Sequence, residues 1–159
     1  MSSDLGHAGE GDAAQCGWRA MFQLVVEKEG HRRFVEAGEA VGLPIGSLKA
    51  LLQLDPEAPC AMRDLAERFR CDPSYITSLV DDLEKAGLAE RRPHPADRRV
   101  KEVALTGRGV DALSHVRKII DEPPDWFSAL TANEKEQLRK LLGKLQAAQA
   151  QEAEVPREG

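Results

Sequence analysis

The sequence predicts a mainly α-helical fold carrying one small β-hairpin. Apolar residues recur at helical spacing along nearly all of the 159 residues. The period changes only over residues 88–105, where two short segments flank the turn-rich PHPAD. Helix-starting and helix-stopping residues stand where the periodic runs begin and end. The length suits one domain with a core of its own. With aromatics at 4% of residues, that core has to be built from Leu, Val, Ile and Ala.

The first ~11 residues contain Gly and Ser and, like the tail QEAEVPREG, are expected to be disordered. A long helix is expected from Ala13 to Val35, with Trp18, Met21, Phe22, Val25 and Val26 as its apolar positions. Pro44 opens a short helix carrying Leu48, Leu51 and Leu52, and the LDPEAP stretch ends it. Met62, Leu65, Ala66 and Phe69 fall at i, i+3, i+4 and i+7, one face of a third helix. Asp72 then offers a carboxylate to orphan N–H groups as an N-cap, and Pro73 suits the first helical position, where no N–H is needed. The helix they start repeats the stripe at Ile76, Leu79, Val80 and Leu83, and Gly87 ends it with Leu88 packing back behind.

Leu88 to Arg92 and Val100 to Leu105 read as the strands of the hairpin. Thr106 caps the next helix, whose apolar residues are Val110, Leu113, Val116, Ile119 and Ile120, and Pro123 and Pro124 stop it. TANE, Thr131 to Glu134, has the form of a capping box and starts a last helix with Leu138, Leu141, Leu142 and Leu145 on its stripe.

Charge is distributed unevenly. The chain has formal net charge −5, yet residues 91–101 hold five basic residues against one acid, Asp97. A local basic spot suits contact with a polyanion better than a general coating would. No apolar run approaches the roughly 18 residues needed to span a bilayer. The N-terminus lacks the basic and apolar regions of a secretory signal, so a cytoplasmic location is expected, without membrane contact. Cys16, Cys60 and Cys71 are too few and too scattered for a disulfide framework. They form no metal spacing with His7, His31 or His115, and the ten residues between Cys60 and Cys71 are not a zinc pattern. With no nucleophile–base pair, no phosphate loop and no cofactor motif, an enzyme is not expected.

Helix, tight turn, capped helix and basic hairpin in succession make a winged helix-turn-helix. The second helix buries its apolar stripe and presents Ser74, Tyr75, Thr77, Ser78 and Asp81 on the opposite face. Small hydroxyls permit close approach to a DNA major groove and can bond phosphates or base edges. The hairpin can reach the neighbouring minor groove, where an inserted arginine is favoured. Arg91, Arg92, Arg98 and Arg99 are therefore candidate DNA contacts, although Arg91 and Arg92 read equally well as a solvated strand edge. Asp81 could accept from a cytosine, but pairing with Lys85 or a wing arginine explains it better. His94, between two prolines, reads as a solvated turn residue.

The stretch from Met62 to Gly109 resembles the core of the MarR (multiple antibiotic resistance regulator) family. The matching pieces are Val80-Asp81-Asp82-Leu83-Glu84, Gly87-Leu88, Asp97-Arg98-Arg99 and Leu105-Thr106-Gly107-Arg108-Gly109. Each is weak alone; their combined spacing is specific. The resemblance implies a homodimer that binds double-stranded DNA at a pseudo-palindromic operator, with Arg99 in the minor groove and Asp97 bracing the wing. It implies dimerisation by the first and last helices. Residues 12–43 and 108–150 would then flank a DNA-binding domain at 44–107, with tails at 1–11 and 151–159.

The same resemblance implies a transcriptional regulator, more often a repressor, modulated by a small aromatic or anionic effector. Trp18 and Phe22 are candidates to line its pocket or the dimer interface. Some members of the family sense peroxide with a cysteine near the start of the first helix, which makes Cys16 a candidate redox residue. The chain departs from the pattern at Ser78 and Asp82, where members often carry a basic residue. That leaves the wing, Arg63, Arg68 and Arg70 to supply most of the affinity. The alternative class is a winged-helix module for protein–protein contact, which the acidic second helix would suit.

Overall fold

The computed structural model describes residues 10–154. It comprises α1 (Glu10–Phe22), a π-helical stretch (Gln23–Gly30), α2 (His31–Val41), α3 (Ile45–Leu52), β1 (Cys60–Ala61), α4 (Met62–Phe69), α5 (Pro73–Lys85), β2 (Ala89–Pro93), β3 (Lys101–Leu105), α6 (Gly107–Asp121), a 3₁₀ turn (Asp125–Ala129) and α7 (Ala132–Glu154). The expected single first helix is thus three helical segments in succession, extended at both ends and interrupted by π geometry. Helical structure also begins at Glu10 and continues to Glu154, which shortens both expected tails; His7 and the side chain of Val26 lie outside the described residues. The chain divides into two compact units, up to Glu122 and from Pro123. Helix α6, expected to group with the C-terminal helix, belongs to the first.

The core of the first unit is aliphatic. Leu48, Leu51, Leu65, Ile76, Leu83, Val103, Leu113 and Val116 are fully buried or nearly so. Each such side chain contributes on the order of 1.5–3 kcal/mol by leaving water. The stripe of α5 buries as its spacing requires: Ile76, Leu79, Val80 and Leu83 all lie inside. The Asp72 carboxylate accepts from the Ser74 amide at 2.8 Å, with Pro73 following in the first turn. At the other end Gly87 takes φ +70°, and the Leu88 amide donates to the Leu83 carbonyl at 2.9 Å, closing a left-handed cap.

Helix α4 ends in the same left-handed way, but on Arg70 at φ 49°, which makes the tight turn into α5 without a glycine. A Cβ-bearing residue there costs about 1 kcal/mol. Past α5 the hairpin forms in the expected place. β2 and β3 are antiparallel, with Ala89 opposite Leu105 and Pro93 opposite Lys101. A third strand joins them: Cys60 and Ala61 pair with Val103 and Glu102, giving the order β1-β3-β2. β2 is therefore an edge strand, which is where a proline is tolerated.

Thr106 joins the hairpin to α6. Its hydroxyl donates to the Gly87 carbonyl at 2.8 Å and accepts from the Gly109 amide at 3.0 Å. Its own amide donates to Leu88. Gly109 lies so close beneath that a Cβ there would stand 1.8 Å from the Leu88 carbonyl oxygen. In the second unit the TANE box forms: the Thr131 amide donates to the Glu134 carboxylate at 2.7 Å, and the Glu134 amide returns to the Thr131 hydroxyl. That helix leaves Leu141, Leu142 and Leu145 exposed. Among the described residues no helix is long and apolar enough to cross a membrane.

Candidate nucleic-acid interface

Burying one face of α5 leaves the other in solvent. Ser74, Tyr75, Thr77 and Ser78 are all exposed. They are not equally free. The Thr77 hydroxyl donates back to the Pro73 carbonyl at 3.0 Å, so its methyl is the more available group. Tyr75 is half exposed and leans toward α3, where a Cβ on Gly46 would meet its hydroxyl at 2.9 Å. Gly46 gives the phenol room to lie across the start of that helix. The Ser74 hydroxyl and amide both hold the Asp72 carboxyl below the usual carboxylate range.

The acids of α5 are engaged within the fold. Asp82 accepts a 2.7 Å hydrogen bond from Ser47, with the Lys85 ammonium 3.9 Å away. Asp81 meets Arg91 at 2.7 Å, and Glu84 pairs with the same guanidinium. Arg91 also donates to the Thr77 carbonyl at 2.9 Å, and its backbone amide donates to Glu84 at 2.7 Å. Of the two readings of Asp81, pairing with a wing arginine is the one observed. Of the two readings of Arg91, neither a solvated edge nor an unencumbered cation describes it: its side chain is only 24% exposed.

Arg92, Arg98 and Arg99 are exposed and form no ion pair among the described residues. The tip that carries the last two is tied together by hydrogen bonds. Asp97 accepts from the Arg99 amide at 3.0 Å while its carbonyl accepts from Val100. His94 differs from the expected solvated residue. Its Nδ1 accepts from the amides of Ala96 and Asp97, its own amide donates to the Val100 carbonyl, and its Nε2 stands 3.6 Å from Glu102. The side-chain nitrogen satisfies amides that a Pro-rich turn would otherwise leave to water.

Between α4, α5 and the wing lies a cleft of about 470 Å³ lined by Met62, Arg63, Thr77, Arg91, Arg99, Val100 and Lys101. It brings residues distant in sequence into one basic concavity. Lys101 and the joint position of Arg63 are what sequence reasoning missed; only the excess of positive charge over 91–101 pointed there. Arg68 is turned elsewhere, donating to the Gln53 carbonyl at 3.2 Å, while Arg70 gives its backbone to the turn and keeps its side chain exposed.

The remaining candidates stand apart from this surface. Trp18 and Phe22 lie side by side on α1, their ring centroids 6.3 Å apart, and are 63% and 43% exposed. Cys16 is exposed in the second turn of α1, where its thiol faces Asp12 at 3.7 Å. Cys60 is buried, and burial pushes its thiol above the usual range.

The chain is similar to proteins already known. The model of the MarR family matches residues 43–101. The HTH-type transcriptional repressor MdtR of Bacillus subtilis (strain 168) is 30% identical over 149 residues, covering 91% of this chain and 92% of the relative. The HTH-type transcriptional regulator BilQ of Clostridium symbiosum is 32% identical over 105 residues, 65% of this chain and 73% of that protein. Among solved structures, the YusO protein of Bacillus subtilis superposes with TM-score 0.64 at 28% identity, over 93% of this chain and 99% of its own.

Proposed function

The chain belongs to the MarR family, and on that premise we propose that it is a DNA-binding transcriptional regulator that acts as a homodimer in the cytoplasm. The observation that carries this reading is the exposed hydroxyl face of α5 beside a wing whose Arg92, Arg98 and Arg99 are unpaired. Ser74, Tyr75, Thr77 and Ser78 face the major groove, and Arg99 enters the minor groove with Asp97 as its brace. Arg63 and Lys101 add phosphate contacts along the cleft. Base reading through hydroxyls and bound water suits a helix without free cations.

Exposed apolar residues on the terminal helices support the dimer. Trp18 and Phe22 on α1, and Leu141, Leu142 and Leu145 on α7, are large side chains in water in a single chain. The twofold axis then gives a pseudo-palindromic operator with half-sites one helical turn apart. The similarity to the repressor MdtR favours repression. A small aromatic or anionic effector changes the separation of the two recognition helices and so releases the operator.

The alternative of a protein-contact module rests on free acids along α5, and those acids are engaged with Ser47, Lys85 and Arg91. Redox sensing through Cys16 predicts that peroxide abolishes DNA binding. Selection of bound duplexes from a random library at near-physiological salt tests the main reading. Enrichment of a pseudo-palindrome supports it; failure to enrich any sequence refutes it.

A further inference from the structure

Thr77, Asp81 and Glu84 follow one another at i, i+4 and i+7, so they form a single stripe along α5. All three give an acceptor to one residue of the wing. The Arg91 guanidinium takes the Asp81 carboxylate at 2.7 Å, the Glu84 carboxylate and the Thr77 carbonyl at 2.9 Å. Glu84 also accepts the Arg91 backbone amide at 2.7 Å. Arg91 lies on β2, the edge strand of the sheet, and its amide turns to the outer side, where Glu84 takes the place of a strand partner. Helix and wing are thereby joined through both the side chain and the main chain of one residue. Arg92, next along the strand, points to the other face and stays exposed.

We propose that Arg91 is a positioning residue, which sets the wing against the recognition helix, and that Asp81 and Glu84 favour DNA binding through it. The proposal rests on the DNA-binding reading above. It reverses the ordinary electrostatic expectation. A carboxylate near bound phosphates repels them, so removing it should strengthen binding. Here the carboxylates hold the frame that places Arg99 and the α5 hydroxyls at their separation. Losing one lets the wing move and weakens binding. The guanidinium is required because a lysine ammonium cannot serve three separated acceptors in one plane.

The test uses the full chain and the duplex that it selects, with a scrambled duplex beside it, each titrated at several salt concentrations. Glu84→Gln and Arg91→Lys should each lose about threefold to tenfold in affinity for the selected duplex, with the salt dependence unchanged. The loss should be smaller on the scrambled duplex, because non-specific binding needs no fixed spacing. The double variant should be no worse than the poorer single one. Should Glu84→Gln fail to fold, Asp81→Asn on the more exposed side tests the same sign. Tighter or unchanged binding by either carboxylate variant overturns the proposal. So does a salt slope that flattens by about one phosphate in Arg91→Gln, which makes Arg91 a phosphate contact. A wild-type chain that selects no duplex at all overturns the underlying reading as well, and the two failures are thus distinct.

Discussion

The hydroxyl of Ser47 on α3 is fully buried and donates a 2.7 Å hydrogen bond to the carboxylate of Asp82 on α5. The bond ties the recognition helix to the helix behind it. Ser47→Ala leaves the carboxylate with only a distant ammonium and should cost about 1–2 kcal/mol. Urea unfolding should show a lower midpoint with the slope unchanged. An unaltered midpoint would mean that water replaces the hydroxyl at no cost.

Arg99 should behave differently from Arg91. It is exposed and unpaired, so Arg99→Ala removes a charge without disturbing the fold. Affinity for DNA is expected to fall by about tenfold, and the salt dependence to flatten by about one phosphate. Fluorescence anisotropy at four or five salt concentrations measures both. A parallel line on the log–log plot would show that Arg99 touches no phosphate.

Gly109 cannot accept a side chain. Its Cβ would stand 1.8 Å from the Leu88 carbonyl oxygen, which is backbone and cannot swing away. Gly109→Ala should destabilise by about 3 kcal/mol and separate the start of α6 from the end of the α5 cap. Thermal melts followed by circular dichroism should show the midpoint fall by roughly 6–12 degrees. Gly107→Ala, with open space around its Cβ, is the matched control.

Asp72 gives a pH dependence with a defined sign. The Ser74 bonds lower its carboxyl below the ordinary 3.8, so the folded state holds the proton less tightly than the unfolded chain. The cap contributes its stability above about pH 4 and loses it as pH falls through the lowered value. Asp72→Ala should be less stable than the wild type at pH 7, with the difference closing as pH falls below the ordinary carboxylate value and through the lowered one. A gap constant with pH would place the benefit of Asp72 outside its charge.

Arg70 and Gly87 form a natural pair, since both hold left-handed backbone at helix ends. Gly87→Ala should destabilise by about 1 kcal/mol, and Arg70→Gly should stabilise by a fraction of that, because the relief of strain is offset by a freer unfolded chain. Equilibrium unfolding of the two variants would separate the signs; a destabilised Arg70→Gly would show that the arginine packs for its own sake.

Local chemistry was legible in the sequence. Asp72, Pro73, Gly87, Thr106 and the Thr131–Glu134 box act within a few residues of themselves, and each does in the structure what its position suggests. Non-local partners were not legible. β1 is two residues long and exists only because Cys60 and Ala61 reach β3, some forty residues later. The pairing of Arg91 with Asp81 and Glu84 needs β2 to run back along α5, which no periodicity reports. The π-helical stretch was faint for another reason: its one mark in QLVVEKEG is Gly30, where a Cβ would stand 2.4 Å from the Val25 carbonyl oxygen, and a lone glycine in a helical run does not by itself report a change of winding. At the interface the exposed face of α5 and the wing arginines could be named in advance, while Lys101 could be placed only by the hairpin register.

The wing tip carries a kinetic consequence. Arg98 and Arg99 project from a loop already closed by five hydrogen bonds, two of them to the imidazole of His94. A floppy basic loop loses its backbone freedom at the moment of docking and slows or weakens the encounter. Here that freedom is lost when the chain folds, and only the outer torsions of two side chains remain to be arrested on contact. Association should therefore proceed as a collision of nearly rigid bodies, with little dependence on loop rearrangement, and the residence time should be set by contacts elsewhere.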